Sequence, residues 1–192
     1  MIIGITGGTG CGKTTLLNVI AEKGGLILDC DAIYHQLLTR GNHLLDAIEA
    51  RFPGTVENRQ LQRKKLGSIV FSDSQALEDL NKITHGAIKA EVLRQLEKHH
   101  RLAAIDAIAL FEGGLAELCD TTVAITAPLE IRVQRLMLRD SISEDYARSR
   151  ISAQHPDDWF RSRCDCILEN NGTQIQFYEK CVAFLENLGI MD

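Results

Sequence analysis

An α/β fold organised on a five-stranded parallel sheet is what this sequence predicts, and three observations carry the prediction. Short apolar, β-branched runs alternate with helical patterns along the chain. Those runs are continuously apolar rather than alternating, as strands buried on both faces are. The first of them leads directly into Gly7-Gly8-Thr9-Gly10-Cys11-Gly12-Lys13-Thr14, a glycine-rich turn that opens a helix.

The expected strands are Ile2–Thr6, Leu26–Asp29, Leu102–Phe111, Thr122–Thr126 and Cys166–Glu169. After the glycine-rich turn, Leu16, Leu17, Val19 and Ile20 recur at helical spacing. Gln174–Leu188 reads as a closing amphipathic helix with Ile175, Tyr178, Val182 and Leu185 on one face. Between the second and third strands lie about seventy residues with helical patterns at Ala32–Leu38, Leu44–Phe52, Lys64–Phe71 and Gln75–Glu97. A stretch that long exceeds one crossover helix, so it is expected to form an inserted helical lobe. The expected division is a core of 1–31, 101–128 and 164–192, an acceptor lobe of 32–100 and a lid of 129–163.

The turn matches G-x-x-x-x-G-K-[ST] at every fixed position and has the strand-before, helix-after context that the chemistry needs. Glycines let successive backbone N–H groups converge on phosphate oxygens, and the helix N-terminus adds partial positive charge. Gly8, Thr9, Gly10, Cys11 and Gly12 would wrap a polyphosphate, with Thr15 following in the first turn. Lys13 would reach the β- and γ-phosphates, and Thr14 would hold Mg²⁺. The chain is therefore expected to bind a nucleoside triphosphate.

Composition excludes other classes. A net charge of −5 argues against general affinity for nucleic acid or an anionic membrane. No apolar run approaches the length of a bilayer span, and the start has no signal-type pattern. Six cysteines scattered at 11, 30, 119, 164, 166 and 181 suit neither a zinc site nor a disulfide framework, so reduced thiols in a cytoplasm are expected. An N-K-x-D guanine reader is absent, since Asn81-Lys82 continues as Ile83-Thr84. Asp106 lies inside the expected third strand rather than at its end, which speaks against a large ATPase motor.

Two features point to a small kinase. Seven arginines (132, 135, 139, 148, 150, 161, 163) and no lysine fall between Glu130 and Arg163, whereas the rest of the chain mixes eight lysines with six arginines. The guanidinium fork grips phosphate in bidentate fashion, so at least two of these are expected to touch it. Asp31 closes Asp29-Cys30-Asp31 at the carboxyl end of the second strand, where ligands of open α/β sheets gather. A carboxylate there can take or orient the proton of an attacking hydroxyl, or cap the next helix. An ATP-sensing regulator without turnover would need no such base.

The chain resembles the dephospho-coenzyme A kinase family nearly end to end. The resemblance rests on the loop, Asp29-Cys30-Asp31, the run from Leu61 to Phe71, and Leu80-Asn81-Lys82-Ile83-Thr84-His85. Leu110-Phe111-Glu112, Arg139-Asp140 and Asn170-Asn171-Gly172 complete it. It implies an α/β P-loop kinase with an acceptor lobe and an arginine-rich lid, using ATP and Mg²⁺. The implied reaction phosphorylates the ribose 3′-hydroxyl of dephospho-CoA, the last step of coenzyme A synthesis, with no obligate protein partner. Carried over by position, Asp31, Lys13 and Arg139 are catalytic, Asn170 and Asn171 pack near adenine, and Arg63, His85, Leu110 and Glu112 join Asp31 on the acceptor side. Another nucleoside or metabolite kinase is the alternative. The chain departs from the family pattern at Gly86 and Ala109, where proline is usual and whose absence is expected to loosen both turns, and at Cys11, where serine is usual. Cys11, beside Lys13 and a helix N-terminus, is expected to carry a reactive thiol.

Overall fold

The computed structural model describes residues 1–40, 42–98 and 101–190. Five strands among them form one parallel sheet: β1 (Ile2–Thr6), β2 (Leu26–Asp29), β5 (Ala103–Asp106), β6 (Thr121–Thr126) and β7 (Cys166–Glu169), in the spatial order β2-β5-β1-β6-β7. A two-residue antiparallel hairpin, β3 (Val56–Glu57) with β4 (Gln60–Leu61), lies outside it. The first strand of the chain is thus the middle of the sheet, and its carboxyl end is where the connections diverge to either side. Open α/β sheets hold ligands at that position.

Helices cover both faces. Helix α1 (Lys13–Glu22) and the last helix, α9 (Gln174–Asn187), pack one face, where Ile3, Ile5, Leu16, Ile20, Val123, Ile125 and Phe177 close a core. Thr173 and Gln176 form a reciprocal capping box that fixes where α9 starts. On the opposite face, α2 (Cys30–Arg40) and the long α5 (Ser74–Leu96) enclose Leu28, Ile33, Val92, Ile105 and Leu110. Asp73 caps α5 by accepting from the Gln75 and Ala76 amides.

Two further apolar clusters sit away from the sheet. Helices α3 (Asn42–Arg51) and α4 (Arg63–Val70) meet α2 and α5 around Ile48, Phe52, Leu66 and Ala76. Helices α6 (Leu129–Asp140) and α7 (Glu144–Ser152) meet through Val133, Leu136, Ala147 and Ile151, and α8 (Asp157–Arg161) follows. Each group buries enough apolar side chain to hold its own shape, so the sheet can act as a platform between them.

Two expectations need correction. The third main-sheet strand stops at Asp106, because residues after it turn back on themselves. Gly113 N–H donates to Ala109 C=O at 2.9 Å and Leu115 N–H to Leu110 C=O at 3.0 Å. Gly86 does not sit in a turn at all. It lies within α5, where a proline would remove a helical hydrogen bond and kink the axis.

Candidate active site

The glycine-rich loop joins β1 to α1, and its glycines are required by space as well as by conformation. Gly7 has φ +130° and a Cβ there would fall 2.3 Å from the Ile125 carbonyl oxygen. Gly12 has φ +95°, and its Cβ would fall 2.4 Å from Asn170 Nδ2. Helix α1 starts at Gly12 with no side-chain cap. Its first amides therefore offer donors that an anion can complete. Lys13 Nζ donates to Gly7 C=O at 3.2 Å and lies 4.0 Å from Asp106 Oδ1.

Side chains distant in sequence hold the loop from behind. Arg132 is buried and donates from Nε to Thr9 C=O at 3.0 Å. Thr9 N–H donates to Gln154 Oε1 at 2.7 Å. Arg135 donates to Gly10 C=O at 3.2 Å and Cys11 C=O at 3.3 Å, while Asn170 Nδ2 donates to Cys11 C=O at 2.9 Å. The carbonyls of three successive loop residues are thus tied to side chains. That fixes the curvature before any ligand arrives, and preorganisation of this kind lowers the cost of binding.

In front of the loop is a cavity of about 910 Å³ lined by Gly8 to Thr14, Asp31, Asp106 and three arginines, Arg135, Arg139 and Arg150. Arg139 and Arg150 share one carboxylate. Arg139 Nε lies 2.7 Å from Asp140 Oδ1, and Arg150 donates to Oδ2 at 2.6 Å. The bonds from Arg139 and then Arg150 pull the Asp140 carboxyl down to about 2. Both guanidinium groups are so held at the cavity wall. The other arginines of the segment are engaged elsewhere. Arg148 pairs with Glu130 and Glu144, Arg161 with Glu169, and Arg163 covers the Trp159 ring.

Three carboxylates gather at the carboxyl ends of β2 and β5. Asp29 Oδ1 accepts from the Ala32 amide at 3.0 Å, so the cap of α2 is Asp29 and not Asp31. Asp31, in the first turn of α2, is exposed and lines the phosphate cavity. Asp106 faces Asp29 across the sheet register. Its Oδ1 is buried and has no hydrogen-bond partner among the described residues. Burial pushes this carboxyl up to about 6; Lys13 lowers it, while Asp29 and Asp31 raise it. Because the strand ends at Asp106, this residue does occupy the strand-end position denied to it by the sequence reading. Its signal was the Asp at the edge of Ala103-Ala104-Ile105, masked by the apolar residues after it.

A second cavity, about 300 Å³, lies on the other side of Asp31. Tyr34 of α2, Thr84 and His85 of α5, and Ala109 and Gly113 of the turn after β5 form its walls. Burial raises the Tyr34 hydroxyl above its ordinary range, and the Arg63 charge partly offsets this. Asp31 and Ile108 line both cavities, and Asp31 is the polar group between them.

Several candidate residues sit elsewhere than expected. Leu110 is fully buried beneath β1, in contact range of Gly4, and lines neither cavity. It packs the platform and is not a contact for the acceptor. Arg63 is exposed at the start of α4, outside the cavity lining. Thr15 faces a groove between α1 and α9 rather than the phosphate cavity. Asn170 is buried against the loop with Oδ1 accepting from Arg135, and Asn171 accepts from Lys180. Glu112 leaves the acceptor cavity and meets His155. The reactive-thiol expectation for Cys11 is also overturned: its sulfur is in the sheet core at 1% exposure, and burial raises its pKa.

Comparison with known proteins places the chain in a family. The dephospho-CoA kinase family model matches residues 1–176. A dephospho-CoA kinase of Saccharomyces cerevisiae is 33% identical over 98% of this chain and 83% of its own length. That of Syntrophotalea carbinolica is 35% identical over 98% and 92%. The crystal structure of TT1252 from Thermus thermophilus superposes with a TM-score of 0.82 at 32% identity, covering 98% of this chain and 97% of that one. A shikimate kinase of Bacteroides thetaiotaomicron, at 17% identity and a TM-score of 0.58, shares the fold. With a site built on the strand ends of a P-loop sheet and a match across nearly its whole length, this chain belongs to the dephospho-CoA kinase family.

Proposed function

We propose that the chain transfers the γ-phosphoryl group of ATP to the ribose 3′-hydroxyl of dephospho-CoA, giving ADP and coenzyme A. The observation that carries this reading is the position of Asp31 between two cavities. One has the loop amides, Lys13 and three arginines that a triphosphate needs, and the other has the apolar and hydrogen-bonding walls that a nucleoside end needs. A hydroxyl seated in the smaller cavity would meet the γ-phosphate at Asp31, which accepts or orients its proton. Lys13, Arg135, Arg139 and Arg150 spread the charge on the transferring group. Helices α2–α5 serve as the acceptor lobe and α6–α8 as the lid that excludes water.

Mg²⁺ fits the residues present. Among the described residues no cluster of three or more metal-ligating side chains occurs. Mg²⁺ in phosphoryl-transfer sites takes only one or two carboxylates beside substrate phosphates and water. The unpartnered Asp106 Oδ1 supplies one such oxygen, and the Thr14 hydroxyl lines the same cavity. Bound there, the ion would neutralise charge on the β- and γ-phosphate oxygens. No helix among the described residues is long and apolar enough to cross a membrane, and all six cysteines are free, which suits an enzyme of the cytoplasm.

The test is an ADP-release assay over a panel of hydroxyl acceptors. Dephospho-CoA should give the highest kcat/KM, with adenosine far poorer because remote parts of the acceptor contribute orientation. Comparable kcat/KM for adenosine would favour a nucleoside kinase.

A further inference from the structure

Two neighbouring residues of the lid reach the two halves of the site. Gln154 accepts from the Thr9 amide of the phosphate loop at 2.7 Å. His155, the next residue, meets Glu112 with Nε2 2.8 Å from Oε1, across 43 positions of sequence. Glu112 belongs to the turn after β5, and that turn supplies Ile108, Ala109, Gly113 and Leu115 to the acceptor cavity. The bond is not an accident of a mobile surface ring. The imidazole lies parallel to Trp159, 3.9 Å between centroids and 2° between planes, and Arg163 sits 4.3 Å over the Trp159 ring. Phe111, beside Glu112, meets Trp159 edge-on at 5.6 Å and 83°. Two adjacent residues of the acceptor turn thus contact two residues of the lid, by a charge-assisted hydrogen bond and by an aromatic edge.

Resting on the reaction proposed above, we propose that His155 is a positioning residue that acts through Glu112: it fastens the acceptor-side turn to the lid segment whose Gln154 grips the phosphate loop. Trp159 fixes the plane of the imidazole, so Nε2 has one direction in which to bond. Moving the turn would move the wall facing Tyr34 and His85. Loss of the bond therefore falls on acceptor binding, while the phosphate loop keeps Arg132, Arg135 and Asn170 behind it.

His155→Phe keeps the ring stack and removes the hydrogen bond, and His155→Gln keeps a donor of similar reach. Steady-state kinetics should show KM for dephospho-CoA raised about 3- to 10-fold in His155→Phe, as expected for one exposed charge-assisted bond. KM for ATP should stay within about 2-fold, and His155→Gln should recover most of the loss. Trp159 is the chain's single tryptophan, so its emission reads the contact directly, and dephospho-CoA should shift it in the wild type. An unchanged acceptor KM in His155→Phe, equal behaviour of the two variants, or an emission deaf to dephospho-CoA would each overturn the assignment. If the wild type fails to turn over dephospho-CoA, the proposed reaction falls and this role with it. If turnover is normal and the kinetic split is absent, the role of His155 alone falls.

Discussion

The phosphate cavity and the acceptor cavity share Asp31 yet are built on opposite plans. The first is built around one contiguous stretch, Gly8 to Thr14, with charged side chains from the lid facing it. The second is assembled from three separate segments, α2, α5 and the turn after β5, each contributing three to five residues, mostly apolar. Phosphate has fixed geometry and charge, so one backbone shape with a few cations suffices, and that shape can be encoded locally. A large acceptor is recognised by surface, which only tertiary packing creates. The difference predicts that mutations in the two cavities will separate kinetically, except at the residue they share.

The largest effect is expected at that shared residue. Asp31→Asn preserves shape but cannot take a proton, so kcat should fall roughly 10²- to 10⁴-fold. Both KM values should stay near wild type, because neither cavity loses a wall. A normal kcat would show that the two cavities do not meet chemically at Asp31. A medium effect confined to one cavity should follow from His85→Ala. KM for dephospho-CoA should rise about 10-fold from the loss of half-buried contact, with KM for ATP unmoved. A matching rise for ATP would break the separation.

A third effect falls on stability rather than on rate or affinity, and it sharpens the account of the phosphate side. The folded Asp106 carboxyl is raised from 3.8 to about 6, so the fold prefers its protonated form. Its favourable contribution is present below the unfolded pKa and is lost as pH rises through about 6. The ligand-free protein should therefore lose up to about 3 kcal/mol from this group above that window. Asp106→Asn should remove the loss, lifting the ligand-free Tm by several degrees at pH 7.5 and by little at pH 4.5, while kcat falls. A pH-independent Tm difference would show that Asp106 is not held as a strained anion.

The same contrast explains what could be read in advance. All five main-sheet strands, the glycine loop and Asp31 announce themselves through local pattern. The arginine-only composition of 130–163 singles out guanidinium groups and the family resemblance picks out Arg139, but adding Arg135 and Arg150 requires knowing which face of α6 and α7 meets the loop. Gln154 carries no local signal, and the motif that names Asn170 does not reveal its bond to the loop, since the partners of both are loop atoms more than 140 residues away. Asp106 was hidden because apolar residues after a strand end look like more strand. Leu110 belongs to a family motif, yet its side chain goes inward to the platform, so shared sequence there reflects packing. The Cys11 expectation fails for a related reason: position beside a helix N-terminus favours a thiolate where water reaches the sulfur, and here burial in the sheet core outweighs the nearby charges of Arg132 and Lys13.

The strand order has a consequence for how the chain is made. The loop is synthesised before the strands that support it, because β1 pairs with β5 and β6, about a hundred residues later. The side chains that set the loop's curvature come later still, ending with Asn170. Contacts so separated in sequence form late, because the intervening chain must first be gathered. A nascent chain emerging from the ribosome therefore carries its nucleotide motif in full but cannot shape it until Asn170 is out as well. Nucleotide then selects for chains that have reached Asn170: by mass action it stabilises those in which the loop is shaped and offers little to one cut short of it.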